Sequence, residues 1–322
     1  MEGSQIRAAG PADGCCPACH APGQGHGRAP RCRELLQPRM GRSDMERAFA
    51  AGLPRTALAA GCRLPDKPAG CVRVATYNVH LWQGYWQGTG PGRMLSAAHE
   101  LDADVLLLQE ATAETAREMR KFYPHVQLHL VAGWFGNAIC SRFPLEDVEC
   151  VNYDTEAQGD EPRSYVLATV RPPGGHRPFR VVSTHLDVWD RSGSQRYLQA
   201  VKLAQRFGGG ETELARDTLI LGDMNAMRRS DYGPDHWAWI QAQDELRGVD
   251  RTPCTELEPL FSAGWRDAHA FHSPCITTWS LRRVDFVLLH PQCGLPLRQA
   301  MVSYNTASDH LPIAVDLELL MP

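Results

Sequence analysis

The spacing of hydrophobic and polar residues changes at Cys71. Residues 1–70 show little sustained periodicity, whereas short apolar runs and alternating segments follow one another from Cys71 onward. Segments of about four to eight residues with either pattern are typical of β-strands. The sequence therefore predicts strands at 72–79, 104–110, 136–142, 164–171, 178–185, 218–221, 283–289, 300–304 and 311–319.

Apolar residues at helical spacing lie between several of these strands. They predict helices at 93–101, 111–121 and 192–207. In the last of these, Tyr197, Val201 and Ala204 fall on one side and are predicted to be buried. Strands and helices thus alternate along the chain, which is typical of an α/β domain.

Two connections between these elements are informative. Residues 164–171 and 178–185 are separated by a Pro- and Gly-rich turn, so they are predicted to form a hairpin. Residues 226–258 show no regular pattern. A connection of this length is uncommon unless it is functional, so it is predicted to help shape a substrate pocket.

Polar residues follow the predicted strands closely. Asp223 and Asn225 are two positions apart after a buried run, so on an extended chain both side chains project to the same side. The alternative is an Asx turn without chemistry. Other strand ends carry Asn78, Glu110, His185, Asp309 and His310, with Asp285 inside a nearby strand.

These residues form a chemically coherent set. Carboxylates, amides and imidazoles are the groups needed to hydrolyse a phosphoric ester with a divalent cation. Oxygen ligands suit Mg²⁺ or Mn²⁺, which bind through one or two carboxylates together with substrate phosphate. Structural explanations remain open for single residues: Glu110 could begin the next helix, and His185 could be an ordinary core histidine.

Six short motifs follow one another in a fixed order along the chain. They are Tyr77-Asn78-Val79-His80, Leu108-Gln109-Glu110, Thr184-His185-Leu186, Gly222-Asp223-Met224-Asn225, Arg283-Val284-Asp285-Phe286 and Ser308-Asp309-His310-Leu311-Pro312-Ile313. In these motifs the chain resembles the endonuclease/exonuclease/phosphatase superfamily, which includes deoxyribonuclease I, over about residues 71–320. The resemblance implies a four-layer α/β/β/α sandwich of two packed mixed sheets, with the site at their shared rim.

The resemblance also implies a metal site. Glu110 would bind the Mg²⁺ or Mn²⁺ ion with help from Asn78, and Asp309 would be a further ligand. These assignments come from the family pattern and not from spacing in this sequence.

Catalytic roles are implied in the same way. Asp223 and Asn225 would activate and align the attacking water. His310, oriented by Asp285, would contact the scissile phosphate, and His185 would hold a non-bridging oxygen. The resemblance thus implies a Mg²⁺-dependent phosphodiesterase or nuclease.

The substrate is expected to be a phosphate ester in a nucleic acid, a nucleotide or a phospholipid headgroup. Residues 71–322 carry 23 Lys/Arg against 31 Asp/Glu, so they lack the basic footprint typical of proteins that grip long nucleic acids. The presence of histidines at both position 185 and position 310 resembles the pattern in deoxyribonuclease I and in sphingomyelinases. A sphingomyelinase-like lipid phosphodiesterase and a phosphoinositide phosphatase are the alternatives, and a non-catalytic binding module is a third.

The aromatic residues of one predicted loop are compatible with peripheral membrane contact. Trp82, Tyr85 and Trp86 could stack on a substrate, touch a lipid surface or cover an edge of the core. The longest apolar runs are far short of the roughly 20 residues that span a bilayer, so no transmembrane segment is predicted. We expect a soluble monomer.

The N-terminal 1–70 are rich in Gly, Pro, Arg and Cys and are predicted to be a disordered tail, leaving the catalytic domain at 71–322. Six of the 11 cysteines lie at or before residue 71, and the rest show no paired spacing. Such a scatter favours reduced thiols and an intracellular protein. Two alternatives for the tail are an organelle-import leader and a zinc site at Cys15, Cys16, Cys19, His20, His26 and Cys32.

Overall fold

The computed structural model describes residues 64–84, 90–131, 133–153, 162–249, 254–270, 276–305 and 307–322. The predictions for residues 1–63, including the possible zinc site, lie outside these ranges. Leu64 is buried in a hydrophobic cluster, and Lys67 forms an ion pair with Asp104. Leu64 and Lys67 therefore contact the folded domain from positions just before the boundary predicted at residue 71.

Twelve strands within the described ranges form two mixed six-stranded sheets. Sheet 1 has the order β11-β12-β1-β2-β4-β3, and sheet 2 has the order β5-β6-β7-β8-β10-β9. The parallel neighbours are β1 with β2 and β7 with β8. The strands are β1 Cys71–Asn78, β2 Val105–Ala111, β3 His125–Val131, β4 Phe135–Ser141, β5 Leu145–Asn152, β6 Ser164–Val170, β7 Phe179–His185, β8 Thr218–Asp223, β9 Arg266–Asp267, β10 Asp285–Leu289, β11 Leu297–Val302 and β12 Ile313–Glu318.

Helices connect the strands, and short 3₁₀ turns lie at His80–Trp82 and Arg229–Asp231. None of the helices within the described ranges is long and apolar enough to cross a bilayer. The helices are α1 Pro91–Glu100, α2 Ala113–Met119, α3 Ser194–Phe207, α4 Glu213–Arg216, α5 Pro234–Leu246 and α6 Glu258–Ser262.

Three hydrophobic clusters account for the layers. Strand residues alternate between two faces, so Val72 and Val74 of β1 pack between the sheets, whereas Ala75 and Tyr77 pack on the outside against α1. The outer face of sheet 2 packs against α3 in the same way. The predicted four-layer α/β/β/α sandwich is therefore confirmed, and β1 lies over β8, β2 over β7 and β4 over β6.

The predicted hairpin is confirmed, since β6 and β7 pair antiparallel along their whole length. Three strands were missed, β3, β5 and the two-residue β9. All three are edge strands, and most of their side chains are exposed or only partly buried, so their sequences carry a weak apolar signal. The stretch 226–258 is not irregular throughout, because it contains α5, whose buried side chains are few.

The buried face of α3 differs from the prediction. Tyr197 is 43% exposed, and the buried side chains are Arg196, Gln199, Ala200, Leu203 and Phe207. Two polar residues face inward because they hold the loop after β7. Gln199 accepts a hydrogen bond from the backbone N–H of Asp187, and Arg196 donates a hydrogen bond to the backbone carbonyl of Asp187.

A buried ion pair joins β1 to β12. Arg73 Nε and Nη2 donate to the two carboxylate oxygens of Asp316 at 2.8 and 2.9 Å. Removing one partner leaves a buried charge uncompensated, which typically costs about 3–5 kcal/mol. We expect Arg73→Met to lower the free energy of unfolding by about this amount in urea titrations. The double variant Arg73→Met/Asp316→Leu should recover most of the loss, and an unchanged unfolding midpoint for the single variant would contradict the expectation.

Asp190 caps the loop that leads into α3. Its carboxylate accepts hydrogen bonds from the backbone of Ser192 and Gln195 and from the hydroxyl of Ser194. Partial burial alone would raise the pKa of Asp190, but these donors outweigh it and lower the pKa to about 2. Since the folded value is below the ordinary one, the carboxylate stabilises the fold above about pH 4, and this contribution disappears as the pH falls toward the folded pKa.

The matching experiment compares the wild type with Asp190→Asn over a range of pH. We expect a constant difference in unfolding free energy between about pH 5 and pH 7, and a shrinking difference below about pH 4. A difference that stays constant down to about pH 3 would show that the ionised form makes no special contribution.

Candidate active site

Four polar residues lie side by side across sheet 2. In the strand registers Ser164 is opposite His185, His185 is opposite Asp223, and Asp223 is opposite Asp285. They occupy the face that packs between the sheets, which is filled by apolar side chains further from this rim. Parallel and antiparallel pairing therefore brings residues far apart in sequence into one row.

Sheet 1 supplies a second group directly opposite. Asn78 at the end of β1 is in register with Gln109, and Glu110 follows Gln109 on β2. Asp309 and His310 lie in the turn just before β12. All three predicted metal ligands thus come from sheet 1, whereas the predicted catalytic residues other than His310 come from sheet 2.

Asn78 joins the two groups. Its Nδ2 atom donates to Glu110 Oε1 at 3.1 Å and to Asp223 Oδ2 at 2.9 Å. Its Oδ1 atom accepts a hydrogen bond from the backbone N–H of His80 at 3.0 Å. In this orientation the amide nitrogen, and not the oxygen, faces the carboxylates.

Glu110 has an unusual backbone conformation. Its φ of 53° lies in the left-handed region, and the register of β2 with β4 shifts between Leu108 and Ala111. Such a bulge changes the direction of a side chain at the end of a strand. Left-handed backbone at a non-glycine residue costs energy and clusters at functional sites. The bulge places Glu110 next to Asn78 and Asp223.

His310 lies between two aspartates. Its Nδ1 atom is 2.9 Å from Asp285 Oδ2, and its Nε2 atom is 3.5 Å from Asp223 Oδ2. Burial alone would lower the pKa of His310, but the carboxylates of Asp285 and Asp223 outweigh it and raise the pKa well above its ordinary value. The ring is therefore cationic at neutral pH.

Burial raises the pKa of Asp223, and the cationic ring of His310 acts in the opposite direction. The backbone N–H of Asn225 donates to Asp223 Oδ1 at 2.8 Å. This is the Asx turn that the sequence allowed as an alternative, and it coexists with the site. Asn225 itself has a φ of 46°, a conformation that asparagine tolerates.

His185 is held in the neutral form. Its Nδ1 atom lies 3.4 Å from Arg163 Nη1, and its Nε2 atom lies 3.0 Å from Asn225 Nδ2 and 3.5 Å from Asp223 Oδ2. Burial, Arg163 and His310 together hold the pKa of His185 well below its ordinary value. The two site histidines therefore differ in charge, since His310 is cationic and His185 is not.

Asp309 completes the cluster beside His80. Its Oδ1 atom lies 3.3 Å from His80 Nδ1 and 3.1 Å from the hydroxyl of Ser308, which also contacts the carbonyl of Asn78. Burial alone would raise the pKa of Asp309, but His80 and His310 outweigh it and hold the pKa well below its ordinary value. The carboxylate is therefore ionised.

The site contains residues that the sequence did not single out. His80 belongs to the first motif but was given no role there, and in the structure it pairs with Asp309. Arg163 gave no signal, because it precedes a strand instead of following one. The hydroxyl of Thr277 accepts hydrogen bonds from the backbone of Val284 and Asp285 and thereby holds the start of β10. Only His80 and Ser308 could have been found, since both belong to motifs at strand ends.

The position of Trp82, in the aromatic loop after β1, contradicts one of the three roles predicted for that loop. Trp82 is 2% exposed and belongs to the core cluster on the outer face of sheet 1. It covers a core edge, which was one of the alternatives, and so cannot touch a lipid surface. Tyr85 and Trp86 lie outside the described residues.

The ligand atoms of Asp223, Asp285 and His310 all lie within 4.8 Å of one another, close enough to hold a single metal ion. However, both nitrogens of His310 face carboxylates, and a protonated ring offers no lone pair to a metal. The geometry therefore favours an ion-pair network for these three residues.

This arrangement can be compared with known proteins. The family model described as "Endonuclease/Exonuclease/phosphatase family" matches residues 76–310, a span that contains all eight predicted site residues. The chain belongs to this family. The predicted resemblance is therefore confirmed, and the endonuclease/exonuclease/phosphatase proteins are phosphoric ester hydrolases.

One sequence relative and two solved structures are similar to this endonuclease/exonuclease/phosphatase protein, and the structures share its fold. YbhP of Escherichia coli K12, described as uncharacterized, is 26% identical over 188 residues, which are 58% of this chain and 64% of YbhP. A crystal structure of an endonuclease/exonuclease/phosphatase from Beutenbergia cavernae has a TM-score of 0.56 at 20% identity, over 78% of this chain and 72% of that one. ANGEL2, a 2′,3′-cyclic phosphatase, has a TM-score of 0.56 at 16% identity, over 78% of this chain and 96% of that one.

Proposed function

We propose that the protein is a Mg²⁺- or Mn²⁺-dependent hydrolase of phosphoric esters, of the phosphodiesterase type. The observation that carries the proposal is the position of Asp223. One carboxylate oxygen lies 2.9 Å from Asn78 Nδ2 and 3.5 Å from an imidazole nitrogen of both His185 and His310. This oxygen of Asp223 therefore lies close to the amide of Asn78, to a neutral imidazole and to a cationic imidazole, at the rim between the two sheets.

The residues present fit a divalent cation. Four carboxylates lie in the site, where Asn78 contacts Glu110 and Asp223, His310 contacts Asp285, and His80 contacts Asp309. The cationic ring of His310 offsets only part of their charge. Asp285 Oδ1 is buried without a hydrogen-bond partner among the described residues. Such an excess of oxygen ligands and negative charge favours Mg²⁺ or Mn²⁺.

Glu110 and Asp309 would hold the ion, and Asn78 would keep Glu110 in place. A bound divalent cation would supply Lewis-acid polarisation of a phosphoryl oxygen and offset the charge that builds there. In the orientation seen, Asn78 acts through its amide nitrogen, so we assign it to positioning Glu110 and Asp223.

Asp223 and Asn225 would prepare the attacking water. A carboxylate whose pKa is raised by burial accepts a proton more readily at neutral pH than an ordinary one. Asn225 is fixed by its hydrogen bond to the Leu186 carbonyl at 3.1 Å, and from this fixed position it would orient the water. Proximity of this kind lowers the barrier because the water is already positioned.

His310 and His185 would bind the phosphoryl oxygens. His310 is positively charged and fixed by Asp285, so it can stabilise the negative charge that develops in the transition state. His185 is neutral and contributes a dipole without adding charge. Both groups are already in place, which makes such stabilisation effective.

The test is hydrolysis of bis(4-nitrophenyl) phosphate by the purified full chain. We expect turnover that requires Mg²⁺ or Mn²⁺, that stops with EDTA and that returns when the metal is added back. A panel of dinucleotides, inositol phosphates and sphingomyelin then assigns the substrate class. Absence of turnover with every metal and every substrate would contradict the proposal.

A further inference from the structure

A chain of buried hydrogen bonds crosses from one sheet to the other directly below the rim. Gln109 on β2 is fully buried, and its Nε2 atom donates to Ser183 Oγ on β7 at 3.2 Å. Its Oε1 atom accepts a hydrogen bond from Thr76 Oγ1 on β1 at 3.0 Å. We call Thr76, Gln109 and Ser183 the inter-sheet bridge.

Each member of the inter-sheet bridge lies next to a site residue. Thr76 is two positions before Asn78 on β1, and Ser183 is two positions before His185 on β7, so each shares a strand face with its neighbour. Gln109 directly precedes Glu110. The bridge therefore forms the layer immediately beneath the cluster.

Polar residues in this layer need an explanation. The same face is filled further down by apolar side chains such as Val74, Leu107 and Val181. A buried amide is costly unless its hydrogen bonds are made, and here both ends of Gln109 are used. Hydrogen bonds accept a narrow range of distances and angles, whereas apolar contacts tolerate sliding. The bridge thus fixes the spacing of the sheets more closely than a leucine would.

The spacing matters because the two halves of the site come from different sheets. Glu110 is carried by sheet 1, whereas His185 and Asp223 are carried by sheet 2. We propose that Gln109 is a positioning residue that, through Ser183, sets the distance between the metal-binding half and the water-activating half. This inference rests on the proposed function, since it assigns Gln109 a part in that reaction.

The first variant is Gln109→Met, which keeps the length of the side chain and removes both hydrogen bonds. We expect kcat to fall about tenfold or more, because small displacements of reacting groups reduce rates steeply, with KM within about threefold. Binding of Mn²⁺, measured by isothermal titration calorimetry, should stay within about threefold, because Glu110 and Asp309 belong to the same sheet.

A matched control is Thr218→Val. The Thr218 hydroxyl is also buried and donates to the carbonyl of Ala215 at 2.7 Å, but it lies at the opposite end of β8 from Asp223. We expect this variant to lose thermal stability as Gln109→Met does and to keep the wild-type kcat. A purely structural role for Gln109 would affect both variants alike.

Ser183→Ala provides a second variant in case Gln109→Met fails to fold. It removes the contact with Gln109 and also the 3.4 Å hydrogen bond from Ser183 Oγ to the Leu108 carbonyl on β2, so kcat should fall at least as far as in Gln109→Met. The double variant should lose less than the sum of the two single effects, because the Gln109–Ser183 contact is common to both. An active wild type with kcat unchanged in Gln109→Met or Ser183→Ala would overturn the positioning role alone. A wild type without any metal-dependent turnover would overturn the proposed function and the positioning role with it.

Discussion

The variant Asp223→Asn is expected to lower kcat for bis(4-nitrophenyl) phosphate by about a thousandfold. The change keeps the size of the side chain and its place beside Asn78, but an amide cannot accept a proton from the attacking water. The loss should appear in kcat much more than in KM, because the proton is transferred in the transition state and not on binding. Initial rates over a range of substrate concentration give the two constants separately.

The same variant should remain folded. Asp223 is buried with a raised pKa, so its replacement by a neutral isostere relieves a desolvation cost and should leave the melting temperature unchanged or higher. Thr218→Val on the same strand provides the control for any general effect on β8. Retention of more than about a tenth of the wild-type kcat would remove Asp223 from the role of general base.

The second large effect is expected at Glu110. Glu110→Gln should lower kcat by about a thousandfold and weaken Mn²⁺ binding by two orders of magnitude or more, because the amide replaces the anionic ligand. Calorimetric titration of the full chain with Mn²⁺ measures binding without turnover. If the ion were held by Asp223, Asp285 and His310 instead, Glu110→Gln would bind Mn²⁺ as tightly as the wild type.

Backbone strain at Glu110 offers an independent readout. Because its φ of 53° lies in the left-handed region, Glu110→Gly should relieve about 1 kcal/mol of strain that Glu110→Gln retains. We therefore expect the glycine variant to be as inactive as the glutamine variant but more stable toward urea. Equal stability of the two would mean that the hydrogen bond from Asn78 to Glu110 offsets the strain.

Several parts of the fold could be predicted because their local patterns are strong. The hairpin of β6 and β7 alternates regularly around a Gly-rich turn, and β8 is an uninterrupted apolar run that ends in Asp223. The edge strands β3 and β5 were missed because both are partly exposed to solvent, which weakens the alternation of apolar and polar residues along them. On α3, Arg196 is buried because it holds the Asp187 loop, a tertiary contact that outweighs the local pattern.

The candidate site could likewise be predicted only in part. The sequence determined which residue types stand at the ends of strands, and that was sufficient to select Glu110, Asp223, His185 and His310. The charge states of these side chains could not be predicted from the sequence. His185 is neutral because it is buried and Arg163 lies against it, and both lower its pKa, whereas two aspartates raise the pKa of His310 and keep it cationic.

What the sequence determined by itself is therefore the set of reactive groups and the strands that carry them, because alternation and apolar runs are local properties of the chain. Only the tertiary structure decided how the groups are shared between two sheets, which of them are charged, and that Asn78 and Gln109 hold the halves together. These features depend on contacts between residues far apart in the chain, such as Gln109 with Ser183, and on the burial that raises or lowers each pKa.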